Sequence, residues 1–182
     1  MNDTATNMIK LCEDAYHDGF DDGFVTGYLH ESDLVEEFHR KAGQPVREVP
    51  QCPPDEEVRL RLRLLAEEFR ELLEACGANP DAVHNVDIFT TQAINSVLAE
   101  EGDEVDMVAV ADALTDIHFV NVGSFLSFGL PKEVLFDAVS DSNATKFQDG
   151  VAMVGGKVAK GPSFKPPNIR AVLVEAGWNG SK

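Results

Sequence analysis

The sequence predicts an all-α fold, a four- to five-helix bundle with a short hairpin-like C-terminal tail. Apolar residues recur at helical spacing in several segments, and capping residues mark the ends of those segments. One long stretch, Val105 to Gly129, has the length and composition of a buried helix. With 182 residues, 43% of them hydrophobic, the chain suits one domain with a substantial core.

Three regions are expected along the chain. Residues 1–31 form an N-terminal extension, residues 32–146 the helical domain, and residues 147–182 a C-terminal tail that completes the substrate site. Within the extension, residues 4–17 suit a short helix, whereas residues 18–30 contain three glycines and should be irregular.

Capping residues and prolines divide the helical domain into its elements. Ser32 and Gly43 bound the first predicted helix, and Asp55 and Gly77 bound the second. Residues 44–54 contain four prolines and should form an extended connection between them. The later elements are a less regular region from Pro80, a helix over 90–100, the long apolar helix over 105–129, a helix from Pro131 to 142, a hairpin around Gly155 and Gly156, and a helix over 168–176.

Two of these helices bring carboxylates to otherwise apolar sides. On the second predicted helix, Glu67, Glu68 and Glu71 continue a stripe that begins with leucines. On the long apolar helix, Asp112 and Asp116 share one face with apolar residues. Buried carboxylates without partners would cost several kcal/mol each, so cations, protons or hydrogen-bond donors should meet them.

Carboxylates that face one another point to a hard divalent cation. Two charges about 4 Å apart interact by about 4 kcal/mol at an effective dielectric constant near 20, so such a cluster needs shared cations or protons. Oxygen ligands without cysteine or histidine favour Mg²⁺ or Mn²⁺ over zinc. The alternative is a solvated face on which the glutamates pair with arginines. That alternative leaves Asp112 and Asp116 unexplained, so the metal site is favoured.

A second group of polar residues follows a predicted helix end. Ser142, Asn143 and Lys146 offer a hydroxyl, an amide and an ammonium group, and Lys160 comes soon after in an otherwise acidic chain. These are groups that contact phosphate. The alternative is an ordinary C-terminal cap in which Asn143 adopts the left-handed conformation.

Composition excludes several classes of function. The net charge of −17 argues against nucleic-acid binding, which needs a basic face. Cys12, Cys52 and Cys76 are widely spaced and form no disulfide or zinc pattern, so a reducing cytoplasm is expected. The N-terminus lacks the pattern of a signal peptide, and the longest apolar stretch contains charged residues, so no membrane association is expected.

The order of these motifs resembles the all-α NTP pyrophosphohydrolases, the MazG-like and phosphoribosyl-ATP pyrophosphohydrolase-like group, and its phage and bacterial branch in particular. The resemblance covers about residues 34–173. It rests on the segments VEEFHRKAGQP, RLLAEEFREL, VADALTDIHFVNVGSFLSFGLP, FDAVSDSNATKF and GKVAKGPSFKPPNI, which follow one another in that order.

The resemblance implies an enzyme that cleaves a nucleoside triphosphate between the α and β phosphates. It implies Mg²⁺, with Mn²⁺ as a substitute, and a homo-oligomer, either a dimer or a tetramer, in which helices of different subunits complete the bundle. Related phage enzymes act on single deoxynucleotides, dGTP among them, in control of the nucleotide pool. The implied residues are Glu67, Glu68 and Glu71 for catalysis, Glu68, Glu71, Asp112 and Asp116 for the metal, and Asn143, Lys146 and Lys160 for substrate binding.

Two other functions stay open. One is phosphoribosyl-ATP hydrolysis in histidine synthesis, and the other is a non-catalytic helical binding or assembly protein. The nucleobase pocket is expected to use aromatic and amide residues near Phe38, Asn121 and the tail, without assignment of a base.

Overall fold

A computed structural model describes residues 22–100 and 103–180, so most of the expected N-terminal extension, including the short helix over 4–17, lies outside it. The all-α expectation is confirmed, with a single two-stranded sheet in the described part. The α-helices are α1 (Asp22–Lys41), α2 (Asp55–Ala75), α3 (Pro80–Ser96), α4 (Met107–Phe128), α5 (Lys132–Ala144) and α6 (Ile169–Glu175); Thr145–Phe147 is a 3₁₀ turn, and the strands are β1 (Met153–Val154) and β2 (Lys157–Val158).

Two helices begin earlier than their sequence signals indicated. Helix α1 begins at Asp22, ten residues before Ser32, because a long helix tolerates internal glycines that cost about 1 kcal/mol each. Helix α3 begins at Pro80, where an irregular region was expected. The Asn79 side chain caps it by accepting hydrogen bonds from the amides of Asp81 (2.9 Å) and Ala82 (3.4 Å).

The helix predicted over 90–100 is the second half of α3, which ends at Ser96 and not at residue 100. Several other boundaries agree with the sequence. Gly43 and Gly77 follow α1 and α2 with positive φ angles of 66° and 82°, as glycines beyond a helix end do. The hairpin turns at Gly155 and Gly156, whose φ angles of 57° and 81° suit a tight turn between antiparallel strands. The Asn168 side chain caps α6 through the amide of Ala171 at 3.2 Å.

The chain divides into two compact units. One contains the described residues up to Val46 together with those from Val122 onward, and the other contains Arg47 to Asn121. Among described residues, no helix combines the length and apolar content needed to cross a membrane.

In the first unit, α5 packs against α1 and α6. Leu135 on α5, Ala42 after α1 and Val158 on β2 are buried there. Lys132 at the start of α5 makes a half-buried ion pair with Glu31 of α1. Burial opposes the charged form of Lys132, but the hydrogen bond and negative charge of Glu31 outweigh it and raise the pKa of the ammonium group.

In the second unit, α2 packs against α3, with Val83 and Ile94 of α3 buried. The Arg47 guanidinium donates two hydrogen bonds, of 2.7 and 2.8 Å, to the Glu57 carboxylate, and the hydrogen bonding raises the pKa of Arg47. Arg59 of α2 donates to the carbonyl of Val97 at 3.1 Å and so joins α2 to the end of α3.

The long apolar helix exists, but the single chain does not bury it. Helix α4 contains no buried residue, and Val108, Phe119 and Leu126 are 81%, 78% and 77% exposed. The expectation of a buried helix is therefore wrong for one chain, because the described elements provide too little surface to cover it. A helix that is apolar almost all round normally lies in a core, so the exposure of α4 is unusual.

Candidate active site

The predicted catalytic glutamates lie in the C-terminal half of α2. Glu67 is half-buried, while Glu68 and Glu71 are exposed. Arg70 between them makes a 2.6 Å hydrogen bond to Glu74, which raises the pKa of Arg70, and its guanidinium also lies 3.9 Å from Glu71. The solvated-face alternative, in which glutamates pair with arginines, is therefore consistent with the surroundings of Glu71. It does not account for Glu68, to which no described residue donates a hydrogen bond or ion pair.

Asp112 and Asp116 lie one turn apart on α4, and both are exposed. No described residue pairs with either carboxylate. Thr115, between them, directs its hydroxyl to the carbonyl of Ala111 at 2.8 Å, so it is not turned toward the aspartates. The two carboxylates therefore form a pair on a helix face that is otherwise largely apolar.

An apolar groove of about 650 Å³ lies between α2 and the first half of α4. Leu62 and Leu65 line it from α2, and Val110 and Leu114 line it from α4. The predicted metal ligands do not line this groove. On α4 the aspartates lie on a different side of the helix from Val110 and Leu114, since successive residues turn by about 100°.

The structure therefore places the acidic residues as separate pairs, one per helix. Within residues 22–100 and 103–180, no three His, Cys, Asp or Glu side chains form a group that could hold a metal ion. The carboxylate oxygens themselves are the donors that Mg²⁺ prefers. Their assignment as metal ligands stays a prediction.

The predicted phosphate-binding residues lie in the first unit, at the end of α5. Asn143 belongs to the last turn of α5, which continues into the 3₁₀ turn that contains Lys146. The alternative of a left-handed cap at Asn143 is wrong, because Leu98 is the one non-glycine residue with positive φ in the described part of the chain. Beyond Asn143 the backbone continues into the 3₁₀ turn, where the Thr145 hydroxyl donates to the carbonyl of Ser142 at 2.7 Å.

Asn143 lines a cavity of about 420 Å³ between α1 and α5. The Phe38 ring of α1 meets the Phe147 ring edge to face at 5.2 Å, and the Lys146 ammonium lies 5.7 Å from the centre of the Phe38 ring. The apolar members of the lining are Leu34, Val35, Phe38, Phe136, Val139, Ala144 and Phe147. The sequence pointed to the neighbourhood of Phe38. Phe136 and Phe147 were missed, although their aromatic side chains flank the Asn143 segment.

Lys160 follows β2 in the tail and is exposed, with its ammonium 5.0 Å from the centre of the Phe164 ring. The tail segment after Lys160 is hydrogen-bonded to the end of α5. The Ser142 hydroxyl donates to the carbonyl of Lys165 at 2.7 Å, and the amide of Lys165 donates to the Thr145 hydroxyl at 2.9 Å. Lys160 and the Asn143 segment thus belong to the same unit.

The described part of the chain is all-α apart from one two-stranded sheet, as expected for the class of all-α pyrophosphohydrolases. The profile of the phosphoribosyl-ATP pyrophosphohydrolase family matches residues 35–143, more than half of the chain. The chain belongs to that family, and it is a pyrophosphohydrolase.

The fold agrees with a solved relative. The crystal structure of a protein from Exiguobacterium sp. 255-15, described as a "putative NTP pyrophosphohydrolase", is similar to this chain with a TM-score of 0.61 and 26% sequence identity. The similarity covers 80% of this chain and 94% of that one. No curated protein matches the chain.

Proposed function

We propose that this enzyme is a Mg²⁺-dependent nucleoside triphosphate pyrophosphohydrolase in control of the nucleotide pool. It hydrolyses a ribo- or deoxyribonucleoside triphosphate, with dGTP among the candidates, to the monophosphate and pyrophosphate. The observation that carries the proposal is the aromatic-walled cavity beside Asn143 and Lys146. It combines a flat apolar surface for a base with an amide and an ammonium group for phosphate.

The acids supply the hard oxygen ligands that such a reaction needs. In this proposal Glu68 and Glu71 of α2 and Asp112 and Asp116 of α4 hold Mg²⁺, or Mn²⁺ in its place. Each pair has a helical spacing that puts both carboxylates on one side of its helix. When bound, the metal neutralises phosphate charge and lowers the pKa of coordinated water.

The remaining roles follow from side-chain chemistry. One of Glu67, Glu68 and Glu71 accepts a hydrogen bond from the attacking water and orients it toward the α-phosphorus. Asn143 donates its amide N–H to a phosphate oxygen, and Lys146 and Lys160 offset the charge of the departing pyrophosphate. The cavity holds the base against the Phe38 ring.

The proposal includes a homo-oligomer, a dimer or a tetramer, in which a second copy covers the apolar face of α4. The support is the exposure of Phe119 and its neighbours, which is unusual for a soluble chain that stays alone. Carboxylates from a second copy would then complete the ligand set that one chain supplies as pairs.

The family's description favours a second candidate substrate, phosphoribosyl-ATP. Both candidates present an adenosine- or nucleoside-linked α–β phosphoanhydride, so the same acids serve either reaction. The family assignment argues against a binding protein without activity.

The decisive experiment is a screen of the common NTPs and dNTPs and of phosphoribosyl-ATP, with Mg²⁺ and with Mn²⁺, and with chromatographic separation of products. We expect monophosphate and pyrophosphate from at least one nucleoside triphosphate. Turnover of phosphoribosyl-ATP alone would establish the second candidate. Diphosphate with orthophosphate would contradict the proposed bond, and no turnover by folded protein would contradict the proposal as a whole.

A further inference from the structure

The tail segment 160–165 is hydrogen-bonded at two places to residues 142–149, which form the end of α5 and the turns after it. At one place, the backbone of Lys165 is held by two side chains, the Ser142 hydroxyl donating to its carbonyl (2.7 Å) and the Thr145 hydroxyl accepting from its amide (2.9 Å). Ser142 is only 6% exposed, so its hydrogen bond is protected from water. We call segment 160–165 the strap.

The second fastening point is the Asp149 carboxylate. One of its oxygens accepts a hydrogen bond from the amide of Ser163 at 2.7 Å, and the other accepts from the Ser163 hydroxyl at 2.8 Å. Both are charge-assisted hydrogen bonds, the stronger kind. The pair fixes the position and the orientation of the strap at Ser163.

The contact between Asp149 and the strap requires a glycine. A Cβ atom added to Gly161 would lie 2.5 Å from an Asp149 carboxylate oxygen and 3.0 Å from its Cβ. Any other residue at 161 would push the carboxylate away. Lys160, the predicted phosphate-binding residue of the tail, directly precedes this closely packed glycine in the chain.

The strap-holding side chains and the predicted phosphate-binding side chains alternate along one short segment. Ser142 and Thr145 lie three residues apart in α5 and the 3₁₀ turn, and Asp149 lies in the turn that follows; all three side chains contact the strap. Asn143 and Lys146 are each offset by one residue from this set. The residues that hold the strap and those that carry the substrate-binding groups are therefore neighbours in this segment.

We infer that Asp149 is a positioning residue, which fixes the strap through Ser163 and Gly161 and thereby places Lys160 for phosphate binding. The inference rests on the proposed function, because it takes Lys160 as a substrate-binding residue. Both oxygens of Asp149 are engaged with the strap, so its action is on Lys160 and not on the reacting atoms.

The test compares Asp149→Ala, Gly161→Ala and the double variant, with Gln148→Ala as a matched control. Gln148 is exposed and adjacent, and its side chain makes no described contact with the strap. Hydrogen exchange of the amides in 160–165 is measured first, because it reports on the strap whether or not any nucleotide is turned over. We expect exchange to rise about tenfold or more in both single variants and to stay unchanged in Gln148→Ala.

Kinetics then separate positioning from simple loss of folded protein. We expect KM for the triphosphate to rise about tenfold in both single variants, with kcat within about twofold of the parent, since partial unfolding would lower kcat and leave KM. The double variant should resemble the singles, because the 2.5 Å clash with the carboxylate disappears while the Asp149 hydrogen bonds stay lost.

Two results would overturn the inference. One is normal exchange of the strap in Asp149→Ala. The other is a loss of kcat in Asp149→Ala with parental behaviour in Gly161→Ala, which would mean that Asp149 acts directly on the reaction. If the parent turns over no nucleotide, the proposed function fails separately; the inference is then decided by strap exchange and by calorimetric affinity for inorganic pyrophosphate, which Asp149→Ala must weaken.

Discussion

At the residue scale, Asp116 is the predicted metal ligand whose role a single substitution tests most directly. It lies between exposed apolar residues on α4, one turn from Asp112, and neither carboxylate has a partner among the described residues. Two like charges on one helix face destabilise the helix slightly, so the pair is a cost to the isolated chain. A bound cation would reverse that cost.

Asp116→Asn should lower pyrophosphohydrolase turnover by about a hundredfold or more, because it removes a charged ligand and keeps the side-chain shape. It should also abolish the rise in melting temperature that Mg²⁺ produces in the parent, since binding to the folded state stabilises that state. Steady-state kinetics and a thermal melt with and without Mg²⁺ measure both effects.

The control is Asp33→Asn, at an exposed aspartate of α1 that makes no described contact. It removes the same charge and should leave turnover and the Mg²⁺ effect unchanged. Substantial turnover in folded Asp116→Asn would contradict the role assigned to this residue.

Phe38→Leu tests the base pocket. Leucine keeps most of the apolar volume and removes the aromatic face, whose stacking on a base is worth about 1–3 kcal/mol. We expect KM for the preferred triphosphate to rise roughly tenfold, with a smaller change in kcat. Val154→Ala, at a 69% exposed position of the hairpin outside the cavity, is the control. An unchanged KM in Phe38→Leu would place the base elsewhere.

At the element scale, α3 depends on the cap provided by Asn79. Asn79→Ala removes the acceptor of two helix amides and should lower the free energy of unfolding by about 1 kcal/mol, as measured by urea denaturation. The matched control is Asn85→Ala in the exposed middle of the same helix. There alanine has the better helix propensity and should raise stability by a few tenths of a kcal/mol. Equal effects at both positions would rule out the capping role.

The starts of α3 and α1 show which helix boundaries can be predicted from neighbouring residues and which cannot. Asn79 followed by Pro80 is a complete helix-start signal, so the true start of α3 could have been predicted, and only the weak apolar period after it suggested an irregular region. The start of α1 could not have been predicted, because the glycines in its first half have low helix propensity, and the helix forms there as a continuation of the turns that follow. The Gly155–Gly156 hairpin and the Asn168 cap were predictable, since their signals are local.

The candidate site shows the same division. Asn143 and Lys146 were identified because they lie close together in sequence. The cavity they adjoin brings Phe38 together with Phe136 and Phe147, about a hundred residues away in the chain, and no local pattern encodes that contact. The hold of Asp149 on the strap is likewise a tertiary contact.

At the scale of the whole molecule, the exposed face of α4 predicts self-association. Phe119→Glu places a charge on that face, where burial against a second copy would be costly, and should shift sedimentation from an oligomer to a monomer. Turnover should fall with it if a second copy completes the ligand set.

Val49→Glu is the control for this prediction. It introduces the same charge at a 64% exposed position in the connection before α2 and should leave the oligomer intact. A parent protein that sediments as a monomer would remove the basis for the proposed assembly.

The same face has a consequence for the newly made chain. If a second copy covers this face in the assembled protein, a newly made chain exposes Val108, Phe119 and Val120 to water until it associates. Such an apolar strip favours non-specific association. The net charge of −17 makes identical chains repel one another, which slows both aggregation and specific association. Dissolved salt screens that repulsion at separations beyond about 8–10 Å. The rate at which newly made chains associate should therefore rise with ionic strength.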